Sequence, residues 1–424
     1  MRQVDLWFMA MTSRIRFVGY TGVYALLAIS LALAGCAAKP QTSTITPLQE
    51  SVRVPTEPKP YCAAHDLFLE EAKQGSAPAQ YNLGVMYEKG LGVSQDDKEA
   101  VKWYRSAAEQ GHAEAQSALG SIYYNGQGVS QDYKEAFKWY GLSADQGVAR
   151  SQYNLGVMYE KGLGVPQDSK EAVKWYKLAA EKNDARAQYN LGSLFYNGQG
   201  VARDHKEAAK WYKLAGEQGV ARAQYNLGSM YYNGEGVLQD YKAASYWYKL
   251  SAEQSFAPAQ YNLGSLYYYG QGVQRDYKEA VKWYRLAAEQ KDSQAQYNLG
   301  LMYEKGQGVS GNYKEAARWY RLAGEQGVVQ AQHNLGVLYE KGRGVSQDFK
   351  EAASWFKLSV GQGFAPAKCN LAELYVVGHG IKKDMAMAKK LSKEGAAAGV
   401  AYCHEVVKKY HLTPTIVSSN HRKE

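Results

Sequence analysis

The sequence predicts an all-α solenoid, in which pairs of helices stack on one another. The first observation is a strict repeat, because the segment from Ala79 to Val93 returns every 36 residues without insertion or deletion. The second is that the apolar residues of each repeat follow helical spacing. Periods of roughly 20–50 residues are typical of units that bury their apolar faces on their neighbours. Nine repeats occupy residues 77–400 of the 424-residue chain, which indicates one elongated repeat domain.

Residues 1–35 have the pattern of a secretory signal peptide. Arg14 and Arg16 precede an uncharged apolar stretch from Phe17 to Leu33, and small residues then lead to Cys36. This order is typical of a cleaved export signal. The sequence Leu-Ala-Gly-Cys that ends at Cys36 is similar to the bacterial lipobox, in which the cysteine becomes the first mature residue and carries lipid. The alternative is an uncleaved N-terminal anchor with an incidental cysteine.

The residues after Cys36 bear on localisation. In similar lipoproteins an aspartate directly after the cysteine tends to retain the protein in the inner membrane, whereas here Ala37 and Ala38 follow. We therefore predict a lipid-anchored protein of the cell envelope, at the outer membrane and facing the periplasm. Five prolines among Thr, Ser and Gln make residues 36–60 a lipidated cysteine followed by an extended tether.

Both ends of the repeat array carry a single helix. Residues 61–76 align with the second half of a repeat, with Leu67 at the place of Trp103, and predict an N-terminal cap helix. Residues 401–424 predict a degenerate first helix that caps the other end, followed by a polar, disordered tail. Terminal repeats are expected to deviate because their outer faces meet water.

Within the first repeat, helix A is predicted from Ala77 to Lys89. Gly84 lies inside it, although a mid-helix glycine costs about 1 kcal/mol relative to alanine. We infer that another helix packs too close there for a side chain. The glycine recurs as Gly120, Gly156, Gly192, Gly228, Gly264, Gly300 and Gly336, with Ala372 in the ninth repeat. Gly90 is expected to end the helix in the left-handed conformation.

Helix B is predicted from about Asp97 to Gln110. Asp96 is its expected N-cap, and Glu99 completes a capping box. The pair recurs as Asp132/Glu135, Asp168/Glu171, Asp204/Glu207, Asp276/Glu279 and Asp348/Glu351. The helix is expected to bury its alanines together with Trp103 or Tyr104. Val93, in the connecting loop, is expected to fill the core from the loop side.

The motifs Tyr-Asn-Leu-Gly in helix A and Glu-Ala-x-x-Trp-Tyr-x-x-Ala-Ala in helix B resemble the Sel1-like repeat, a relative of the tetratricopeptide repeats. The resemblance covers residues 61–411. It implies a right-handed α/α solenoid of nine 36-residue helix-loop-helix repeats with a leading and a trailing cap helix. It also implies a scaffold that binds a protein or peptide partner, without enzymatic activity and without a cofactor.

Candidate motifs for chemistry are weak. The Gly-x-Gly loops lack a preceding strand and a following Gly-Lys-Ser/Thr, so they predict no phosphate site. Ser354 and Lys357 match the Ser-x-x-Lys motif of penicillin-binding enzymes, and some cysteine-rich relatives of the repeat family have been described as β-lactamases. No Lys-Thr-Gly or Ser-Asp-Asn element accompanies the motif. The histidines show no metal-ligand spacing, and interleaved charges favour a solvated surface over a nucleic-acid stripe. We predict no catalytic residue, metal or nucleic acid.

Three cysteines remain after Cys36. Cys369 and Cys403 fall in adjacent A-type helices, two positions out of register, and a disulfide between them is a hypothesis that an oxidising periplasm permits.

The predicted binding surface is a groove lined by the A helices, by analogy with tetratricopeptide solenoids. With Ala77 as position 1 of its repeat, positions 5, 12 and 13 carry tyrosine and asparagine in the middle of the array. Tyrosine gives a large contact area and is enriched at interfaces. The predicted partner-binding residues are Tyr189, Tyr196, Asn197, Tyr225, Tyr232, Asn233, Tyr261, Tyr268 and Tyr269. The alternative is that many of these rings, those at position 5 above all, pack between neighbouring A helices.

The sequence thus predicts a membrane-anchored interaction scaffold or adaptor of the bacterial envelope. A β-lactamase-like or cell-wall hydrolase is the first alternative. A surface-exposed or secreted factor that engages host cells is the second, and only topology separates it from a periplasmic scaffold.

Overall fold

The computed structural model describes residues 60–412, which form twenty α-helices and no strand. The signal peptide, Cys36, most of the tether and the tail from residue 413 lie outside the described residues. Each repeat supplies a helix A and a helix B of 13 residues each. The predicted all-α repeat solenoid is therefore confirmed. Within residues 60–412, none of the helices combines the length and the apolar character that a membrane crossing requires.

The A helices are α2 (Ala77–Lys89), α4 (Ala113–Asn125), α6 (Ala149–Lys161), α8 (Ala185–Asn197), α10 (Ala221–Asn233), α12 (Ala257–Tyr269), α14 (Ser293–Lys305), α16 (Val329–Lys341), α18 (Ala365–Val377) and the terminal α20 (Ala401–Lys409). The B helices are the leading α1 (Pro60–Lys73), α3 (Asp97–Glu109), α5 (Tyr133–Asp145), α7 (Ser169–Glu181), α9 (His205–Glu217), α11 (Tyr241–Glu253), α13 (Tyr277–Glu289), α15 (Tyr313–Glu325), α17 (Phe349–Gly361) and α19 (Met385–Ala397).

The chain divides into two compact units, which are described separately. The first is the part up to Ser151 together with Leu163–Val165, and the second is Gln152–Gly162 together with everything from Pro166 on. In each unit the helices pack mainly on their neighbours in sequence. Such nearest-neighbour packing is what makes a repeat protein quasi-one-dimensional.

The start of helix B differs from the prediction in one respect. A side-chain oxygen of Asp96 accepts hydrogen bonds from the N–H groups of Lys98 and Glu99, each at 3.0 Å, so the N-cap is confirmed. The N–H of Asp96, however, donates to the carbonyl of Tyr87 in helix A, and the Glu99 carboxylate contacts Lys102 instead. The reciprocal half of the capping box is therefore wrong, because a backbone carbonyl already serves that donor. The same backbone bond recurs in the other eight repeats.

The mid-helix glycine marks a close approach, as predicted. A Cβ on Gly84 would lie 2.5 Å from the ring of Tyr104, which is fully buried at position 28 of the same repeat. In the ninth repeat Ser392 replaces that ring, and Ala372 replaces the glycine. The two positions change together because the ring and the Cβ compete for one space.

Both Trp103 and Tyr104 are packed against apolar residues, so the prediction of one or the other is incomplete. The two rings point into different cores. The tyrosine packs on helix A of its own repeat. The tryptophan at position 27 packs on the repeat before it, as Trp139 does in the core that holds Ala100 and Ala108. In the second unit, a Cβ on Gly216 at position 32 would lie 3.2 Å from the Trp247 ring. Within each unit, tryptophan is thus the side chain that joins one repeat to the preceding one, and Leu391 takes its place in the ninth repeat.

The loop glycines serve packing. A Cβ on Gly272 would lie 2.1 Å from the carbonyl oxygen of Tyr241, which begins helix B of the preceding repeat. Val93 packs half-buried beside Leu83 and Met86, so its predicted place against the core is confirmed. These contacts support the structural interpretation of the Gly-x-Gly loops.

A glutamine at position 4 also links the repeats. The buried Gln224 donates from Nε2 to the carbonyl of Gly216 at 2.8 Å, and its Oε1 accepts from Gln254 at 2.8 Å. Buried amides need such partners, because an unsatisfied one costs about 1–3 kcal/mol.

We expect two glycines of the second repeat to respond oppositely to alanine. Gly120→Ala places a Cβ 2.6 Å from the Tyr140 ring and is expected to lower the free energy of unfolding by about 1–3 kcal/mol. Gly141→Ala meets no atom within 4 Å and is expected to raise it by about 0.5–1 kcal/mol through helix propensity. Urea titrations followed by circular dichroism measure both. Equal effects from the two substitutions would contradict the ring contact.

Candidate functional site

The repeats are of two kinds, which differ at positions 9 and 12. One kind has valine or leucine with glutamate: Val85/Glu88, Val157/Glu160, Leu301/Glu304 and Val337/Glu340. The other has serine with tyrosine: Ser121/Tyr124, Ser193/Tyr196, Ser229/Tyr232 and Ser265/Tyr268. The ninth repeat, with Glu373 and Val376, follows neither pattern. We call the two kinds glutamate repeats and serine repeats.

The buried tyrosine at position 28 explains the pairing in the first seven repeats, whereas the eighth has Phe356 there. In a glutamate repeat, the Tyr320 hydroxyl donates to Glu304 at 2.5 Å. In a serine repeat, the Tyr248 hydroxyl donates to Ser229 at 3.1 Å. A buried hydroxyl requires a partner, and either side chain supplies one. Burial raises the pKa of Tyr248 to about 12, and burial together with the nearby carboxylate raises the pKa of Tyr320 further.

The tyrosines at position 12 are half-buried, and those of three serine repeats bond to the repeat that follows. The Tyr196 hydroxyl donates to Glu235 at 2.6 Å, and the Tyr232 hydroxyl donates to Gln271 at 3.3 Å. Tyr268 makes the corresponding bond to Gln307 at 3.3 Å. Each acceptor lies in the A–B loop of the following repeat. These side chains therefore hold the loop as well as presenting a ring.

The tyrosines at position 5 are also half-buried. The rings of Tyr189, Tyr225 and Tyr261 lie 5.8–5.9 Å, centroid to centroid, from the buried tyrosine of their own repeat. One side of each ring thus packs on helix B of its own repeat, and these contacts do not test packing between neighbouring A helices.

Three clefts lie in series along the second unit, between α8 and α10, α10 and α12, and α12 and α14. The first measures about 360 Å³ and is lined by Ser193, Tyr196, Asn197, Tyr212, Tyr225, Asn226, Ser229 and Met230. The second measures about 230 Å³ and is lined by Tyr232, Tyr248, Tyr261, Asn262, Ser265 and Tyr269. The third measures about 60 Å³ and is lined by Tyr268, Tyr269, Tyr284, Asn298 and Leu301.

The clefts share one chemistry, because each begins in a serine repeat. Tyrosine rings form the walls, and serine and asparagine supply hydrogen-bonding groups. None of the side chains that line the three clefts is charged. Tyr269 is the most open of the tyrosines that line the clefts, with 67 % of its surface exposed. The three clefts, called the tyrosine clefts below, suit a partner that offers neutral polar groups.

Most of the predicted partner-binding residues line the tyrosine clefts, and two do not. Tyr189 packs against Tyr212 outside them, and the exposed Asn233 donates to Glu235 at 3.2 Å. The asparagine at position 6 also lines the clefts but was not among the predicted binding residues. It is present as Asn226, Asn262 and Asn298. The signal was available, because this asparagine stands next to the position 5 tyrosine in the repeat motif.

Two other predicted sites have clear places. Cys369 in α18 and Cys403 in α20 form a disulfide, and both residues are fully buried. Gly395 stands where the other repeats have alanine or serine, and a Cβ there would lie 2.1 Å from the Cys403 sulfur. The exposed Ser354 donates its hydroxyl to the carbonyl of Lys350 at 2.9 Å, as serines on helix surfaces commonly do.

The helix pairs and their clefts define a helical repeat protein of the scaffold type. The chain belongs to the Sel1 family: the model of the Sel1 repeat matches residues 77–112, 113–148, 149–184, 185–220, 221–256, 257–292, 293–328, 329–364 and 365–400. Sel1 repeat proteins are generally scaffolds for protein–protein interaction and are typically non-enzymatic.

Two solved structures are similar over most of the chain. One is a protective antigen of uropathogenic Escherichia coli that displays an SLR fold, 34 % identical, covering 82 % of each chain with a TM-score of 0.72. The other is a Sel1 repeat protein from Oxalobacter formigenes, 31 % identical, covering 78 % of this chain and 97 % of that one with a TM-score of 0.56. No curated protein sequence matches the chain.

His333, at position 5 of the eighth repeat, predicts an acid-sensitive stability. Its ring lies against Phe356 and Phe364, its Nδ1 has no hydrogen-bond partner, and burial lowers its pKa to about 4. Because the unfolded chain takes up this proton first, the stabilisation is present above about pH 6.5 and is lost as the pH falls toward 4.

Six other repeats have tyrosine at this position. We expect His333→Tyr to remove the loss of stability at low pH. Wild type is expected to lose about 1–3 kcal/mol more than the variant between pH 7.5 and pH 4.5, measured by urea titration. His205→Tyr is the matched control, since other repeats also have tyrosine there. The same pH dependence in wild type and His333→Tyr would contradict the assignment.

Proposed function

We propose that this protein is an interaction scaffold or adaptor of the bacterial cell envelope, held to the membrane by lipid on Cys36. Its partner is a peptide or protein segment that lies along the tyrosine clefts. The observation that carries the proposal is the succession of three clefts with one lining in consecutive repeats. Clefts in series with tyrosine and asparagine in every lining suit an extended chain, which offers similar groups at regular intervals, although the third cleft is much smaller than the first.

The lining indicates what the bound segment carries. Tyrosine rings offer a wide, rigid contact surface at a small cost in side-chain entropy, and this is why they are enriched at interfaces. Asn226, Asn262 and Asn298 supply amide groups that match the N–H and C=O groups of a peptide backbone. A charged side chain entering the clefts would lose its hydration without meeting an opposite charge. The proposed segment is therefore neutral where it enters the clefts.

A second candidate function is supported by a relative. The similar Escherichia coli structure is described as a protective antigen of uropathogenic strains. That description favours a surface-exposed or secreted factor that engages host cells, with the same clefts binding a host protein. Protease access on intact cells separates the two, because only a surface-exposed chain is cleaved without permeabilising the outer membrane.

The proposal includes no catalytic residue, cofactor, metal or nucleic acid. The hydrolase alternative depends on Ser354, whose hydroxyl already donates to the carbonyl of Lys350. Hydrolysis of a chromogenic β-lactam by wild type and its loss in Ser354→Ala would support that alternative.

The chain itself provides a design that removes the clefts. Positions 9 and 12 of the fourth, fifth and sixth repeats are changed to the pair of a glutamate repeat: Ser193→Val with Tyr196→Glu, Ser229→Val with Tyr232→Glu, and Ser265→Val with Tyr268→Glu. The glutamate then accepts from the buried tyrosine, as Glu304 does from Tyr320. We expect affinity capture from envelope extracts, measured by quantitative mass spectrometry, to lose the partner at least tenfold.

The matched control makes the same exchange in the second repeat, outside the clefts, as Ser121→Val with Tyr124→Glu. It is expected to capture the partner as wild type does. Circular dichroism melting confirms that both variants are folded. Equal capture by the cleft variant would refute the tyrosine clefts as the binding surface.

Membrane attachment has its own test. We expect Cys36→Ser to move the protein from the membrane pellet to the supernatant after cell fractionation, because each buried acyl methylene contributes about 0.8 kcal/mol to anchoring. Cys62→Ser, in the same N-terminal part of the chain, is expected to stay in the pellet. If Cys36→Ser also stays in the pellet, the uncleaved apolar stretch is the anchor.

A further inference from the structure

The two ends of the array are complementary halves of a repeat. Among the described residues, 60–412, the first helix is α1, of the B type, and the last is α20, of the A type. Every complete repeat pairs an A helix with the B helix that follows it. The described residues therefore hold the B helix of one further repeat before the array and the A helix of another after it.

The internal repeats show which contact the ends lack. Within each unit, the tryptophan at position 27 enters the core of the preceding repeat. The tryptophans that do so are Trp103, Trp139, Trp211, Trp247, Trp283, Trp319 and Trp355, and Leu391 takes the role in the ninth repeat. Among the described residues, the core of Val376, Ala388, Val406 and Leu412 beneath α20 has no such residue from a following helix.

A pocket of about 600 Å³ lies where the missing side chain would enter. Its floor includes Ala396, Val407 and Leu412, and its rim carries Lys389, Lys390 and Lys393. Ala396 is at position 32, the position at which Gly216 lies under Trp247. The pocket is thus the receiving site of an internal repeat, left open and edged with positive charge.

The opposite end presents a matching side chain. Leu67 of α1 is at position 27, and 59 % of its surface is exposed, although it is a large apolar residue. Asp66, Glu70 and Glu71 surround it and are exposed, with Glu70 contacting Lys73 at 3.1 Å. An apolar residue within acidic neighbours complements an apolar pocket within lysines.

We propose that a second copy of this chain docks its α1 on α19 and α20, placing Leu67 in the lysine-edged pocket and completing a tenth repeat. The acidic side chains of α1 then face Lys389, Lys390 and Lys393. The two surfaces are different, so each added copy leaves a free pocket at one end and a free Leu67 at the other. Such a heterologous contact extends into a chain of copies unless a rotation closes it.

The receiving helix is held firmly in place, as a docking surface requires. The Cys369–Cys403 disulfide ties α20 to α18. Lys409 and Tyr410 both contact Glu373 of α18 at 2.8 Å, and Tyr402 donates to the same carboxylate. The proposal uses the ends of the array and is independent of the tyrosine clefts.

The first measurement is sedimentation velocity of the full chain carrying Cys36→Ser, over a hundredfold range of concentration. The sedimentation coefficient of this parent protein is expected to rise continuously with concentration and to fall with added salt. Leu67→Arg and Ala396→Arg, each added to the parent, are expected to sediment as monomers throughout. Leu358→Arg is the matched control, since Leu358 is 53 % exposed on an internal B helix, and it is expected to behave as the parent does.

Mixing the two blocked variants tests the direction of docking. The Leu67→Arg variant keeps a free pocket and the Ala396→Arg variant keeps a free Leu67, so the mixture is expected to form a dimer that grows no further. Failure of the mixture to associate would overturn the proposal. A sedimentation coefficient of the parent that stays constant, or association that persists in Leu67→Arg, would also overturn it.

A photoreactive phenylalanine in place of Leu67 forms a covalent link to whatever surface α1 contacts, and mass spectrometry then identifies that surface. Adducts are expected at twice the chain mass, linked within Lys389–Leu412 of the other copy, whereas a probe at the similarly exposed Tyr246 is expected to give none.

Two other occupants of the pocket would be detected by their own results. A probe at position 396 that links to residues 413–424 of its own chain would show that the tail fills the pocket. The third possible occupant is a membrane surface. It would be indicated if the parent protein binds vesicles of anionic lipid, Ala396→Arg does not, and no adduct between two copies forms. Either result would refute the docking of a second copy.

Discussion

The contact between a buried tyrosine of helix B and a glycine of helix A is the constraint on which the rest of the structure depends. The Tyr104 ring occupies the space that a Cβ on Gly84 would need. The two helices of a repeat approach closely only while that space is free of a side chain. The ninth repeat shows the same rule in reverse, since Ser392 in place of the ring is accompanied by Ala372 in place of the glycine.

Burying that ring also buries a hydroxyl, and its partner decides what the surface of the repeat can do. With glutamate at position 12, the carboxylate reaches the hydroxyl, as Glu304 does for Tyr320. With serine at position 9, position 12 is left for a tyrosine that bonds to the next repeat, as Tyr232 does to Gln271. Three consecutive serine repeats therefore produce neutral clefts. The buried tyrosine at position 28 thus determines both the packing of the repeat and the side chains of the candidate binding surface.

The second organising contact acts between repeats. Within each unit, tryptophan at position 27 and glutamine at position 4 join one repeat to its predecessor, and both require a neighbour. Within residues 60–412 the first and last helices lack that neighbour, and Leu67 is exposed on α1 while an open pocket lies around Ala396 beside α20. The disulfide between Cys369 and Cys403 lies at the end where the receiving helix has packing on fewer sides.

The sequence by itself determined the fold, the number of repeats and nearly every helix boundary. These features depend on local chemistry, such as the aspartate cap at Asp96 and the left-handed glycine at Gly90. Only the tertiary structure decided that the N–H of Asp96 bonds to Tyr87 and not to Glu99, that Trp103 and Tyr104 serve different cores, and that Asn226 lines a cleft. Those outcomes depend on distances between residues that lie on different helices. A repeat period shows that equivalent residues recur, but the packing of one helix on the next determines which of them meet.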